Sequence, residues 1–264
     1  MYLAAPRREV VHILQRDETM IDRIGPTRRP AGGARGFHNW RSLLFMHWCV
    51  PVEQLRPLVP DELELDLYED KAYVGVVPFA MEGVRARWWP AQLAFSFLET
   101  NVRTYVHHRG RPGVYFLSLE AEHRPAVWAA RRFWGLPYHH AAMTMRADGD
   151  DVHYESVRSG SRVKHEVDYR VGATLGPSRP GTLEHFFLER YLLFVERGGH
   201  IYSGQVYHTP YPAHAAEVLQ ISDELIAAAG IDGVQGQPEF AHYSPGVDVE
   251  IFDLQRVNNG DVQE

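Results

Sequence analysis

The sequence predicts an α+β fold made mainly of antiparallel strands, barrel-like around a core, with a few short helices. Three observations carry that expectation. Aromatic residues are abundant, 6 Trp, 13 Tyr and 12 Phe in 264 residues, and such side chains favour pleated surfaces and lined cavities. Runs rich in Val, Tyr, Phe and Thr are separated by short Gly, Pro and Asp turns, the punctuation of successive strands. Helical patterns occur singly among them, which suits antiparallel sheets closing around one core.

Residues 1–36 read as a flexible arm. Arg7, Arg8, Arg28, Arg29 and Arg35 alternate with Pro6, Pro26, Pro30 and a Gly-rich end, so little of it is expected to pack. Residues 37–264 are expected to form one domain, because no internal repeat or long linker follows. Residues 41–50 read as a buried strand. A short helix is expected from Val52 to Leu58, with Val52, Leu55 and Val59 on one side and Pro60 closing it. Strands follow at 72–81, 92–107, 113–121, 139–146, 151–158 and 163–171, and Ala147-Asp148-Gly149-Asp150 is the clearest hairpin turn. A helix is expected from His123 to Trp134, with Pro125 in its first turn and Gly135-Leu136-Pro137 stopping it. A second, Thr182 to Tyr191, carries an apolar stripe of Leu183, Phe186, Phe187 and Tyr191. A third runs from Ser222, its N-cap, to Ala229, with Gly230 ending it.

The composition excludes several functions. Net charge is −7 with a pI near 6.1, against a nucleic-acid partner, since phosphate backbones want a basic surface. The single cysteine, Cys49, rules out an internal disulfide and a thiolate zinc cluster; inside an apolar strand it reads as inert. No run reaches the roughly 18 apolar residues of a membrane span, and the first twenty residues are charged throughout, unlike a signal peptide. A cytoplasmic protein with no membrane partner is expected. The basic residues are 25 Arg against 2 Lys, Lys71 and Lys164, so amine chemistry has two side chains to draw on.

The segment from Phe95 to Val106 is the most informative. Alternation on a strand places Phe95, Phe97, Glu99, Asn101, Arg103 and Tyr105 on one face. That face changes from aromatic to polar along its length, the pattern of a strand lining a cavity or of one whose end meets solvent. Glu99 and Arg103 lie about 13 Å apart along an extended chain, so each needs a partner elsewhere. Arg131 and Arg132 end a helix, where the dipole favours cations. Trp128 and Trp134 crowd that end, so one guanidinium is expected to face inward and to require an anion. His107-His108 and His139-His140 are adjacent pairs whose rings point to opposite faces of a strand; with no His-x-x-x-His or His-x-Glu signature, no metal is expected. His208 follows a strand and is placed either at the same cavity or as a satisfied loop histidine. Ser244 lacks the small-residue elbow of a hydrolase nucleophile. No Gly-x-Gly-x-x-Gly or phosphate loop occurs, so no cofactor is expected.

Five blocks in order, Leu58-Val-Pro-Asp-Glu-Leu63, Glu99-Thr-Asn-Val-Arg-Thr-Tyr-Val106, Gly113-Val-Tyr-Phe-Leu-Ser-Leu119, Leu136-Pro-Tyr-His-His-Ala141 and His242-Tyr-Ser-Pro-Gly-Val247, resemble the YqjF-like family of uncharacterised proteins. The resemblance runs from about Trp40 to Phe252. That family is similar in turn to the acetoacetate decarboxylase superfamily, which implies a barrel or double sheet around an internal cavity, commonly in a homo-oligomer. In the decarboxylase, a lysine beside a second cation forms a Schiff base. On the matching stretch here the arginine is kept at Arg131, while the lysines are replaced by Tyr138 and His139. One family glutamate falls on Val77 and another on Glu99. A phenol and an imidazole form no iminium with a ketone, and Lys164 is flanked on its own face by Arg162 and Glu166. Schiff-base decarboxylation at this position is therefore excluded.

Two classes of function stay open. In the first, Arg131 and Arg103 grip the carboxylate of a small oxo or hydroxy acid, with Asn101, Tyr105 and His208 binding beside them. Glu99 or His139 moves a proton and Tyr138 donates to a carbonyl oxygen, giving lyase, isomerase or hydratase chemistry. In the second, the same cavity holds a small ligand without turnover, as a carrier or sensor.

Overall fold

The computed structural model describes residues 20–257. Thirteen strands follow one another: β1 Gly36–Val50, β2 Glu64–Leu65, β3 Ala72–Ala86, β4 Phe95–His108, β5 Arg111–Ala121, β6 Tyr138–Asp148, β7 Asp151–Arg158, β8 Lys164–Gly176, β9 Leu192–Arg197, β10 His200–Tyr207, β11 Ala213–Asp223, β12 Phe240–Ile251 and β13 Gln255–Arg256. Among the described residues four α-helices are interspersed, α1 Val52–Leu55, α2 Arg124–Ala129, α3 Leu183–Leu188 and α4 Leu225–Ala228. The strands hydrogen-bond in the order β13-β10-β9-β5-β6-β7-β8-β11-β12-β1-β3-β4-β2. Additional pairings of β4 with β5 and β10 with β12 bring that order back on itself. All pairings are antiparallel except β5 with β6 and β5 with β9. The first of these is reached by the crossover through α2, as a parallel neighbour requires.

Alternation along β1, β3 and β4 sorts their side chains into two cores. Leu43, Phe45, Val77, Phe79, Met81, Phe97 and Tyr105 join one cluster, while Leu44, Met46, Trp48, Val74, Val76 and Val102 join the other. A slip of one residue in any of these strands would exchange the two sets. The first cluster holds the face of β4 that carries Glu99, Asn101 and Arg103.

Local chemistry explains most of the elements. The turn between β6 and β7 pairs Asp148 with Asp151 around Gly149, whose φ is 61°. The expected helix over 123–134 splits: His123 caps α2 by accepting from the Ala126 N–H, and Ala130–Trp134 continue as a π-helical turn that Gly135 ends at φ 73°. Thr182 caps α3 by accepting from the His185 N–H. Ser222, the expected cap of the third helix, lies in β11; α4 instead starts where Asp223 Oδ2 accepts from the Ile226 N–H at 3.0 Å.

Strands β9, β11 and β12, and the two-residue β2 and β13, lie where no strand was expected. Leu192-Leu-Phe-Val continues an apolar run out of α3, and such a run does not reveal where helix gives way to strand. In β11 the Ala-rich start has weak strand preference, and pairing with β8 decides it.

Residues 1–19 of the expected arm lie outside the described residues. From Met20 the chain runs along the domain: the Asp22 N–H donates to the Gly110 carbonyl at 2.8 Å, and Arg23 and Arg29 pair with Asp66 and Glu250. Of the arginines named for the expected arm, Arg29 and Arg35 form ion pairs, with Glu250 and Asp253. No helix among the described residues is long and apolar enough to cross a membrane.

Candidate functional site

Phe95, Phe97, Glu99, Asn101 and Arg103 line a hollow of about 430 Å³. β3 contributes Val77, Phe79 and Met81, and β1 contributes His38 and Trp40. Trp134 and Tyr138 close one side, and Leu188, Arg190, Tyr191 and Tyr211 the other. The walls are mostly apolar and aromatic; Glu99, Asn101 and Arg103 follow one another along β4, and Arg35, His38, Arg85, Arg190 and Gln205 add polar groups from other segments.

Glu99 is 3% exposed. Its Oε2 accepts a hydrogen bond from the Tyr138 hydroxyl at 2.7 Å, and its other oxygen has no hydrogen-bond partner among the described residues. Burial pushes its pKa up to about 8, the Tyr138 bond pulls against this, and the nearby Glu120 charge adds to it. Burial, then the Glu99 carboxyl, also hold the Tyr138 hydroxyl well above the usual phenol range. At neutral pH the pair is therefore a carboxylic acid beside a phenol, poised to donate.

Arg103 makes one long hydrogen bond, Nη2 to the Phe187 carbonyl at 3.4 Å. Its guanidinium lies 5.4 Å from the Phe45 ring centroid and 5.8 Å from that of Tyr105. Its Nε has no partner, nor has Asn101 Oδ1, and no carboxylate of the described residues pairs with it. A guanidinium beside an apolar void without an acid is a ready partner for an anion. Arg190 differs. Its Nη1 is 2.5 Å from Asp66 Oδ2 and its Nε donates to the Phe186 carbonyl at 2.6 Å, so its charge is met within the protein.

The other expected site residues are placed elsewhere. Tyr105 follows Arg103 on the same face but lies beyond the hollow, its hydroxyl 2.6 Å from His47 Nε2. Gly75, opposite Arg103 in register, leaves room for that pair: a Cβ there would come within 3.2 Å of His47 and 3.4 Å of the Tyr105 hydroxyl. His208 is behind the wall, its ring stacked on Tyr191 at 4.4 Å and its Nδ1–H donating to the Thr209 carbonyl at 2.7 Å. Burial lowers its pKa to about 4, so the ring is neutral. His139 neighbours Tyr138 on β6 and so points to the opposite face, where burial, then Arg158 and Arg131, lower its pKa. Arg131 is exposed. The π-helical turn brings Phe133 and Trp134 over the hollow in place of a guanidinium. Of the eight expected site residues, Glu99, Asn101, Arg103 and Tyr138 come together; Tyr105, His139, Arg131 and His208 do not line the hollow.

His38, Arg190, Tyr191 and Tyr211 line it without having been singled out from the sequence. His38 shares a face of β1 with Gly36 and Trp40; a strand start set at residue 41 hid that alternation. Burial lowers its pKa to about 4, and its Nδ1 has no partner. Arg190 had a visible signal, a Glu-Arg pair inside the apolar run Phe186 to Val195.

Among the described residues no amine reaches the hollow. Lys164 is partly exposed on β8, its Nζ 2.6 Å from Glu166 and 3.2 Å from Glu155, and Lys71 is exposed. Among the described residues no three His, Cys, Asp or Glu side chains gather as a metal site would require.

The family DUF2071, described as an uncharacterized conserved protein (COG2071), matches residues 38–248. The uncharacterized protein YqjF of Bacillus subtilis (strain 168) is 36% identical over 219 residues, covering 82% of this chain and 90% of its own. Among solved structures, the acetoacetate decarboxylase of Legionella pneumophila superposes with a TM-score of 0.60 at 12% identity, covering 97% of this chain and 98% of the other. The enduracididine biosynthesis enzyme MppR, in complex with the condensation product of pyruvate and imidazole 4-carboxaldehyde, gives 0.59 at 10% identity, covering 87% and 92%. At these identities the structural likeness speaks for a shared acetoacetate decarboxylase-like fold and not for a shared reaction.

Proposed function

The chain belongs to the DUF2071 family of uncharacterized conserved proteins, and from that premise we propose that its hollow takes a small oxo or hydroxy acid with an apolar body and moves a proton on it. Arg103 holds the carboxylate through charge-assisted hydrogen bonds. Glu99 donates its proton to the ligand's keto oxygen, and the carboxylate left behind, held by the Tyr138 hydroxyl, takes a proton from the adjacent carbon, so that the keto acid becomes its enol and the Glu99 acid is restored. Asn101, between them on the same face, fixes the orientation. The carrying observation is an acid-free guanidinium and a protonated carboxyl on one strand face of an apolar hollow. The volume is within the range of small-ligand sites, about 300–1,000 Å³. Structural neighbours named for an oxo acid substrate, or solved with pyruvate, support the ligand class, while the placing of both Lys71 and Lys164 outside the hollow favours lyase, isomerase or hydratase chemistry without an iminium.

Isothermal titration with phenylpyruvate and phenyllactate tests the reading. Binding is expected, weakened about ten- to hundredfold by Arg103→Gln, the scale of a lost charge-assisted hydrogen bond. Glu99→Gln is expected to keep binding and to lose turnover by at least about a hundredfold. Absence of binding, or affinity indifferent to Arg103→Gln, would overturn it.

Borohydride added with phenylpyruvate is expected to leave the protein's mass unchanged. A trapped adduct would restore the iminium route.

A second reading, a carrier or sensor with no reaction, is favoured by the isolation of His38, a neutral imidazole with no acid or nucleophile bonded to it. Binding with the same Arg103 dependence but no change in the ligand's spectrum over hours would select it.

A further inference from the structure

Next to the hollow lies a second recess of about 320 Å³, and the two share Arg35, Leu192 and Gln205 in their walls. Its character is opposite. Arg35, Arg87 and Arg111 surround it, with Ser203, Gln205 and Gln255 as further polar groups and Asp253 as the one acid. Asp253 is met by Arg35 at 2.7 Å. Arg87 and Arg111 form no ion pair among the described residues, and Asp22 senses Arg111 only at long range.

The arginines converge through the backbone. The Arg87 N–H donates to the Arg35 carbonyl at 2.8 Å, and the Arg35 N–H to the Ile251 carbonyl at 2.7 Å, so Arg35 and Arg87 lie together where β1 begins and β3 ends. Gly33 makes space beside them: a Cβ there would sit 2.0 Å from Arg87 Nη1, so any larger residue displaces the guanidinium. On a chain of net charge −7, two uncompensated guanidiniums at one recess form a local positive field. Planar forks in that number match the several oxygens of a phosphate better than a single carboxylate.

We infer that this recess holds a phosphate or phosphate-ester head, and that the apolar body of the same ligand passes the shared wall of Arg35, Leu192 and Gln205 into the larger hollow. The inference uses the hollow proposed above only for its apolar volume and does not depend on the reaction at Glu99.

Titration of methyl phosphate and octyl phosphate, the latter below its micelle concentration, tests it. Octyl phosphate is expected to bind at least a hundredfold more tightly than methyl phosphate, because its chain is buried. The double variant Arg87→Gln, Arg111→Gln should weaken both at least tenfold, with circular dichroism unchanged because both side chains are exposed. Arg103→Gln should leave methyl phosphate unaltered while it weakens phenylpyruvate, so the two readings fail separately. Phosphate affinity that survives the double variant, or equal affinity for the two esters, would overturn the inference.

Discussion

Glu99→Gln is expected to stabilise the protein at pH 9 and to leave it nearly unchanged at pH 4. An ordinary glutamate loses its proton near pH 4.5, whereas burial holds the Glu99 proton up to about pH 8. Below both values folded and unfolded chains carry the same proton, and the group contributes no pH dependence. Between them the folded chain binds more protons than the unfolded one, so wild-type stability falls as pH rises. Above about pH 8 the whole penalty of burying a carboxylate has been incurred, on the order of 5 kcal/mol. Glutamine has the shape of the protonated acid and never ionises, so its variant lacks this slope and still accepts from Tyr138. Urea unfolding at pH 4, 7 and 9 reads the difference. Parallel pH profiles for the two proteins would show that Glu99 ionises normally, and the proton donor proposed above would be lost with its pKa.

Asp66→Asn is expected to destabilise the protein by about 3–5 kcal/mol, the scale of a buried ion pair that loses one partner. Asp66 is buried at 1% exposure and receives Arg23 on both oxygens at 2.7 Å and Arg190 at 2.5 Å. Burial alone would raise its pKa, but the two guanidiniums outweigh it and hold the carboxyl below the usual range. Its stabilisation is therefore present at neutral pH and is lost as the medium becomes acid enough to protonate it. Without the charge, Arg190 remains inside the protein with one carbonyl as its partner. Because Arg190 lines the hollow, ligand affinity should fall together with stability. Arg23→Gln is expected to be milder, since Arg23 is a quarter exposed and its removal leaves Asp66 paired with Arg190. Thermal unfolding of both variants decides it; a loss below about 1 kcal/mol for Asp66→Asn would show that water replaces the carboxylate.

The fold was legible where local chemistry and period agree. Strands β1 and β3 to β8, the Gly149 turn and the approximate sites of all four helices follow from alternation, Gly and Pro punctuation and capping residues. Strands β9, β11 and β12, and the two-residue β2 and β13, were not legible. β9 pairs with its sequence neighbour β10, but its second partner β5, like β8 for β11 and β1 for β12, is distant in sequence, and such non-local hydrogen bonds override weak local preference. The same division runs through the site. Glu99, Asn101 and Arg103 share a face by period alone, while Tyr105, in the same register, falls past the end of the void because α3 and His47 fill the space there.

By itself the sequence determined the family resemblance, the mainly antiparallel class, the lack of an amine at the decarboxylase position and the polar run on one face of β4. These are statements about period and chemical type, which a linear chain carries in full. Tertiary structure decided which polar groups meet. It sent His139 to the far face although Tyr138 is its neighbour, put Arg131 into solvent, paired Arg190 with Asp66 and left Arg103 without an acid. Whether a charge finds its partner depends on segments brought together from across the chain, and it is that closure, with the desolvation it imposes, that turns Glu99 from an ordinary carboxylate into an acid.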